Sequence, residues 1–365
     1  MSKVPDLKEI DKNMGFENRT RDGMDWYTVE DEGMTLDGLY WYKAGEPFRR
    51  IPQDASVSPG VDVLAGNTAG VMLRFCSDAE EIRVHASFKS ESRMDHMPCT
   101  GMMGFDLYVG SGTNKYYTKT SRFSATAQEY TVSIFGPGAE KKMREFTIHF
   151  PLYSQPENVL IGLTSGAVLK KASAWKDPRP VVVYGTSIQQ GGCASRPGMC
   201  HTNIMSRMLD RPFINLAFSG SGKGEPAMAK IISQIKDPAM VILDYDANAH
   251  VEGLRKTLSP FIDILREKHP AVPILLVSRL PFASEFAEPV TYNQIRMDFT
   301  RIHLDELTRR REAGDKNIHF LDGCTLLGDD PSECTVDGVH ATDYGFAMIA
   351  RHMAPVIEKI LTSCS

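Results

Sequence analysis

The chain runs to 365 residues, more than one hydrophobic core usually serves, so two domains are expected. Hydrophobic residues make up 42% of it and charged residues 24%, the balance of an ordinary soluble globular protein. A formal net charge of -5 leaves no electrostatic footprint for nucleic acid or an anionic membrane surface, and neither partner is expected.

Seven cysteines (Cys76, Cys99, Cys193, Cys200, Cys324, Cys334 and Cys364) form an odd, scattered set. That pattern argues against a disulfide framework and for reduced thiols in the cytosol. The stretch from Met1 to Glu9 lacks the apolar core of a signal peptide, and no apolar run is long enough to span a bilayer. A cytoplasmic protein is expected, with secretion left open if a leader has been removed.

From about Gly70 to Leu163, short β-rich runs recur. They fall at Val71–Phe75, Glu81–Phe88, Phe105–Val109, Tyr130–Phe135, Phe146–Phe150 and Val159–Leu163. Gly, Pro, Ser and Asn clusters separate them, and no helical pattern interrupts the series. Strands at this spacing predict an all-β sandwich or jelly roll, assigned to residues 1–175. The segment Lys176-Asp-Pro-Arg-Pro180 reads as a proline-stiffened joint.

Beyond the joint, in residues 180–365, the period changes. Strand-like runs at Val181–Tyr184, Phe213–Leu216, Met240–Leu243, Ile274–Val277 and Ile318–Leu321 alternate with helical patterns. The helices are expected near 199–210, 225–236, 252–268, 288–313 and 342–361. Such alternation predicts an α/β unit, a parallel sheet with helices on both faces, whose ligands bind beyond the carboxyl ends of the strands.

Two short segments carry the chemistry. The first strand runs into Gly185-Thr-Ser187, a Gly-bearing turn with a serine at its tip. Near the other end, Asp337-Gly-Val-His340 sets a carboxylate three residues before an imidazole. A serine hydroxyl is a weak nucleophile and needs an adjacent base, which in turn needs a group to fix its tautomer. Both needs are met in the order Ser…Asp…His, which points to acyl transfer through a serine.

Gly185-Thr-Ser187-Ile, Asn215-Leu-Ala-Phe-Ser-Gly220, Asn248 and Asp337-Gly-Val-His340 together resemble the ordered blocks of the SGNH (GDSL-type) hydrolases. The resemblance covers roughly residues 180–361. It implies a three-layer α/β/α, flavodoxin-like catalytic domain acting on esters without metal or organic cofactor. It also implies Ser187 as nucleophile, His340 as base and Asp337 as its orienting partner. The backbone amides of Ser187 and Gly220 and the side chain of Asn248 would then form an oxyanion hole. Gly220 suits that role because glycine lets an N–H approach a ligand with no Cβ in the way. The third block departs from the family's Gly-x-Asn-Asp, reading Asp246-Ala-Asn248-Ala, so Asp244 or Asp246 is left to hold that loop. Upstream, Gly104-Phe-Asp-Leu-Tyr108 and Phe146–Tyr153 resemble the β-domain of one branch of these esterases. By analogy that branch suggests a small acyl group, acetyl above all, on a carbohydrate. The alternatives are an acyltransferase passing the group to an alcohol, or a carbohydrate-binding protein with a vestigial catalytic domain. A homo-oligomer is compatible with the sequence.

Other residues have blander readings beside functional ones. Arg279, just past the fourth strand of the second half, can meet substrate or pair with a carboxylate such as Glu285. His96 can reach the cleft from the first half or, like Asp106, serve structure. Tyr40-Trp41-Tyr42 can stack on a sugar, though packing is the commoner fate of such a run. Cys193, Cys200 and His201 match no zinc spacing and read as packing. Gly220-Ser-Gly-Lys-Gly224 lacks the glycine and hydroxyl positions of a phosphate loop.

Overall fold

The structure is a computed structural model and describes residues 20–90 and 93–363; the Met1–Glu9 stretch and Cys364 lie outside them. The first half is built on short strands: β1 (Thr20–Arg21), β2 (Met24–Thr28), β3 (Thr35–Asp37), β4 (Met72–Ser77), β5 (Ile82–Phe88), β6 (Asp106–Val109), β7 (Tyr116–Thr120), β8 (Glu129–Phe135), β9 (Arg144–His149), β10 (Pro156–Thr164) and β11 (Leu169–Lys170). They form two antiparallel sheets, ordered β1-β2-β10-β5-β8 and β11-β4-β9-β6-β7, with β3 added to β4. Period-2 patterning explains the packing. In β5 the side chains of Ile82, Val84, Ala86 and Phe88 are buried, while those between them are half-exposed. The inner faces of both sheets join one hydrophobic cluster, Val84 and Ile161 from the first with Phe75 and Ile148 from the second.

All six runs expected between Gly70 and Leu163 become strands. Two helical segments flank or interrupt them: α1 (Pro59–Ala65) and the single turn α2 (Cys99–Met102). The second departs from the expectation of an uninterrupted β series. Four residues carry no readable helical period, and the turn packs closely on the second half of the chain. A Cβ on Gly101 would sit 2.0 Å from the carbonyl oxygen of Ala194, in the second half of the chain.

That half contains β12 (Val181–Gly185), β13 (Phe213–Ala217), β14 (Met240–Asp244), β15 (Ile274–Val277) and β16 (Ile318–Leu321). Their order, β13-β12-β14-β15-β16 with every pairing parallel, is the flavodoxin-like 2-1-3-4-5 arrangement. The helices are α3 (Ser187–Gln190), α4 (His201–Leu209), α5 (Pro226–Ile232), α6 (Asp246–Lys268), α7 (Ala283–Ala287), α8 (Pro289–Glu312) and α9 (Asp343–Ser363). One face of the sheet, through Val181, Val183, Ile242 and Val277, packs on Met205 of α4 and Phe346 and Ile349 of α9. The opposite face, through Val182, Tyr184, Leu243 and Leu276, packs on Ile232 of α5, Phe261 of α6 and Phe299 of α8. The result is three layers. Helix α6 starts six residues before the expected position because Asp246–Ala249 form a turn of their own, broken from the rest at His250 (φ 56, ψ 169). No helix among the described residues is long and apolar enough to cross a membrane.

The halves are locked together by buried polar groups. Arg50, fully buried, donates from Nη1 to the carbonyls of Asn215 (3.0 Å) and Ala217 (2.8 Å), and from Nη2 to that of Leu64 (2.8 Å). Its guanidinium also lies 4.6 Å from the ring centroid of Phe218. Burial lowers this guanidinium to about 9, which still leaves it charged at neutral pH. A second lock explains the Gly-x-Asp-Leu-Tyr motif. Asp106 accepts from Arg196 Nη1 (2.7 Å), Gly198 N–H (2.8 Å) and His149 Nδ1 (2.9 Å). Tyr108, two residues on and so on the same side of β6, accepts a further bond from Arg196 (2.7 Å). The aromatic run is also packing: Tyr42 stacks on Phe48, and Tyr40 accepts from Lys236 N–H.

Replacing Arg50 with Ala would strip the buried Asn215 and Ala217 carbonyls of their guanidinium donor. Urea unfolding should show Arg50→Ala destabilised by about 2–4 kcal/mol, each unsatisfied acceptor costing about 1–3 kcal/mol before relaxation. An unchanged midpoint would show that the lock contributes nothing to stability.

Candidate active site

The turn after β12 presents Ser187 because three residues around it are fastened first. A Cβ on Gly185 would meet the Asp244 carbonyl oxygen at 2.7 Å and Gln189 Cγ at 2.6 Å, so only glycine fits. Thr186 caps α3: its hydroxyl accepts from Ile188 N–H, and Gln189 Oε1 accepts from Thr186 N–H (2.9 Å), a capping box. Gln189 Nε2 in turn donates to Asp244 Oδ2 at 2.6 Å. Burial, and next the nearby Asp246 carboxylate, push Asp244 well above the usual carboxylate range despite that bond. Asp246 accepts from Arg279 N–H (3.1 Å) and contacts His303 Nε2 through both oxygens (3.0 Å each). Asp246 therefore anchors the altered third block, and Asp244, at the end of β14, fastens the serine's helix instead.

From the other end of the chain, the segment between Thr335 and Ala341 closes on itself through a β-bridge, with Gly338 at φ 88. Asp337 Oδ1 accepts from the N–H groups of Val339 (3.0 Å) and His340 (2.8 Å). Its Oδ2 lies 2.7 Å from His340 Nδ1, and His340 Nε2 lies 2.8 Å from Ser187 Oγ. Burial pushes the Asp337 carboxyl up, but the bonds from His340 and Val339 outweigh it and bring it down to about 2. Asp337 therefore stays ionised at neutral pH. It is not the N-cap of α9, where Thr342 Oγ1 accepts from Gly345 N–H (3.1 Å). Serine, imidazole and carboxylate stand in series, an arrangement able to remove the hydroxyl proton as the oxygen attacks a carbonyl.

The Phe218–Gly222 loop lies alongside. Its Ser219 N–H donates to Oε1 of Gln190, in the serine's own helix (2.9 Å). Asn248 Nδ2 donates to the Phe218 carbonyl at 3.3 Å, tying the third block to the same loop and leaving one amide hydrogen. Gly220 has φ +65, and a Cβ placed on it meets nothing within 4 Å. Left-handed backbone, rather than crowding, is what calls for glycine here. Neither the Ser187 nor the Gly220 amide donates to a backbone carbonyl among the described residues.

The first half of the chain supplies one wall. Tyr153 Oη donates to the Ser187 carbonyl (3.2 Å), and Gln190 Nε2 donates to that of Leu152 (3.2 Å). The His96 ring meets the His340 ring edge-on, with centroids 5.5 Å apart, and its Nε2 lies 4.0 Å from Asp337 Oδ2. His96 thus reaches the cleft. Arg279 does not serve it as a free cation: it is buried against Glu285 (Nη2–Oε1 2.5 Å) and stacked over Phe282, the alternative named from sequence. Cys200 and His201 are packed away, His201 stacked on Phe346. Cys193, read from sequence as packing, is indeed buried in the core, and one ligating atom each of His96, Cys193 and His340 lie within 4.8 Å of one another. Burial, followed by the Asp337 and Asp95 carboxylates, pushes its thiol up to about 12, so it is no rival nucleophile. Tyr153 closes a motif legible in sequence, but no local pattern shows that its hydroxyl faces Ser187.

Residues 178–358 match the model of the GDSL-like lipase/acylhydrolase family, and residues 24–169 match that of the N-terminus of Esterase_SGNH_hydro-type proteins. The chain belongs to the GDSL-like acylhydrolases. A structure from Bacteroides ovatus ATCC 8483 assigned as a GDSL-like lipase is 26% identical, with a TM-score of 0.83 over 93% of this chain and 98% of that one. The salicylyl-acyltransferase SsfX3 of a tetracycline biosynthetic pathway is 20% identical (TM-score 0.73, 92% and 98% covered). A family two carbohydrate esterase from Cellvibrio japonicus is 14% identical (TM-score 0.60, 93% and 98% covered). These last two likenesses establish a shared fold. No curated protein matches the chain.

In this acylhydrolase Asp337→Asn separates shape from electrostatics. The amide oxygen can keep the two backbone bonds, but an NH2 facing Nδ1 favours the wrong imidazole tautomer. The far-ultraviolet spectrum should be unchanged while kcat on an activated ester falls by about 10⁴. A loss below tenfold would mean that Asp337 does not orient the base.

Proposed function

We propose that this protein is a serine esterase that removes small acyl groups, acetyl above all, from carbohydrate through an acyl-enzyme on Ser187. The observation that carries the reading is the continuous series Ser187 Oγ–His340 Nε2 (2.8 Å) and His340 Nδ1–Asp337 Oδ2 (2.7 Å). The proton of Oγ passes to His340 Nε2 as Oγ attacks the ester carbonyl. Asp337, ionised, stabilises the imidazolium. The carbonyl oxygen becomes an oxyanion facing the amides of Ser187 and Gly220 and the Asn248 side chain. His340 then returns the proton to the departing alcohol, and a water molecule activated by the same imidazole releases the acid.

The carbohydrate part of the reading draws on fold relatives that are carbohydrate esterases. Transfer to an alcohol uses the same acyl-enzyme and differs only in what attacks it. Acetate release from a panel of acetylated oligosaccharides, with and without added alcohols, separates the two: hydrolysis requires free acetate and no transferred product. Absence of acetate from every member would remove the substrate assignment.

Ser187→Ala should leave the fold intact and lower kcat on a nitrophenyl acetate by several orders of magnitude. Retention of more than a few per cent of turnover would mean that another group is the nucleophile.

For Asn248→Ala, a group that donates mainly in the transition state should show kcat reduced about 10²–10³-fold with KM little changed. A raised KM at constant kcat would instead make Asn248 a ground-state binding group.

A further inference from the structure

The side chains of His96 and Cys193 converge on His340 and form with it a donor set. His96 comes from the segment between β5 and α2, and Cys193 from just beyond α3. One ligating atom from each of them and one from His340 lie within 4.8 Å of one another. Two imidazoles and a thiol are the ligand chemistry of borderline-soft divalent cations, zinc foremost. In each imidazole a carboxylate lies on Nδ1, as in built metal sites, while Nε2 of His340 faces Ser187 Oγ at 2.8 Å, a bond that an ion on that nitrogen would displace. Asp95 Oδ1 lies 3.0 Å from His96 Nδ1, and Asp337 Oδ2 lies 2.7 Å from His340 Nδ1. Asp337 Oδ2 is also 4.0 Å from His96 Nε2, so the cluster carries negative charge on both sides. Donors around a tetrahedral zinc are roughly 3.3–3.8 Å apart, given metal–ligand distances of about 2.0–2.3 Å. About 1 Å of contraction is needed, within reach of a rotation of His96, whose side chain is 31% exposed.

The geometry points to a divalent-cation site formed by His96, Cys193 and His340, at which zinc reversibly inhibits the enzyme by taking its catalytic base. The inhibition rests on the reading of His340 as that base; the binding does not. On binding, Cys193 releases its thiol proton to solvent, and the fourth position is left for water. Whichever nitrogen of His340 coordinates, the base is lost. Coordination at Nε2 occupies the lone pair that receives the Ser187 proton. Coordination at Nδ1 breaks the bond to Asp337 and leaves the remaining proton on Nε2. The spacing, with His96 and Cys193 almost a hundred positions apart and contributed by different halves, makes this a site of the assembled fold alone.

The test uses the full chain, with Co2+ as a spectroscopic probe and Zn2+ as inhibitor. Wild type should develop thiolate-to-cobalt charge-transfer absorption in the near ultraviolet, saturating at one cobalt per chain. Zn2+ should abolish turnover of nitrophenyl acetate, and a chelator should restore it. Cys193→Ser should keep its metal-free turnover, lose the charge-transfer band and need at least about tenfold more Zn2+ for half-inhibition. His96→Gln should weaken cobalt binding by a similar factor. The proposal is overturned if no charge-transfer band appears, or if Cys193→Ser is as sensitive as wild type. A band that forms while Zn2+ leaves turnover intact overturns the inhibitory role. If the chain hydrolyses no ester, the esterase reading fails, and the cobalt spectra of the wild type and the two variants still decide the site.

Discussion

A guanidinium held by carbonyl oxygens, deep between the two halves, is the contact on which the rest of the architecture hangs. Taking such a charge out of water costs several kcal/mol even after relaxation. Arg50 offsets that cost with bonds to Asn215, Ala217 and Leu64, while its Nε finds no partner among the described residues. Two of these bonds land on β13, at Asn215 and at its last residue Ala217, beside the loop that carries Gly220. Asn215 then passes the constraint on: its Nδ2 donates to the Gln189 carbonyl (2.7 Å), and Gln189 holds both Thr186 and Asp244. A line of buried polar groups thus runs from the first half of the chain to the turn that presents Ser187. Satisfied networks of this kind rigidify, and a partly broken one costs more than the sum of its bonds suggests. The β-rich half is on this view part of the frame of the site rather than an appendage to it.

Two aspartates near that site show how environment assigns opposite states to one side chain. Asp244 is fully enclosed, has a second acid for a neighbour and receives one amide donor, so it is driven towards the neutral form. Asp337 is only partly enclosed and receives two backbone donors as well as the imidazole, so it is held ionised. Burial opposes charge in both, and the count of donors decides which effect wins. The division suits their positions. A neutral Asp244 can share a short bond with Gln189 without adding charge behind Ser187, whereas an ionised Asp337 is able to stabilise an imidazolium at His340.

Much of this was legible in the sequence where the signal is local and repeated. The strands β12 to β16 are apolar runs because helices cover both faces of the sheet, and their alternation with helical patterns gave their parallel order. Gly185-Thr-Ser187 and Asp337-Gly-Val-His340 were legible because each packs its chemistry into four residues or fewer. What stayed hidden depends on contacts between distant segments. The turn α2 forms where Gly101 presses on Ala194, and β7 (Tyr116–Thr120) has three exposed positions and hence no clean alternation. Arg50 reads in sequence as one more surface cation, since nothing around Pro47–Pro52 announces carbonyls supplied by β13. The same blindness governs Cys193. Sequence patterns for metal sites work by short spacing, in which one turn or helix delivers two ligands. Here the next cysteine and histidine along the chain are engaged elsewhere, Cys200 with the Gln189 carbonyl and His201 stacked on Phe346. Cys193's actual companions, His96 and His340, arrive from opposite ends of the chain. The imidazole that faces Ser187 is itself one of the three, so an ion held there would act directly on that pair.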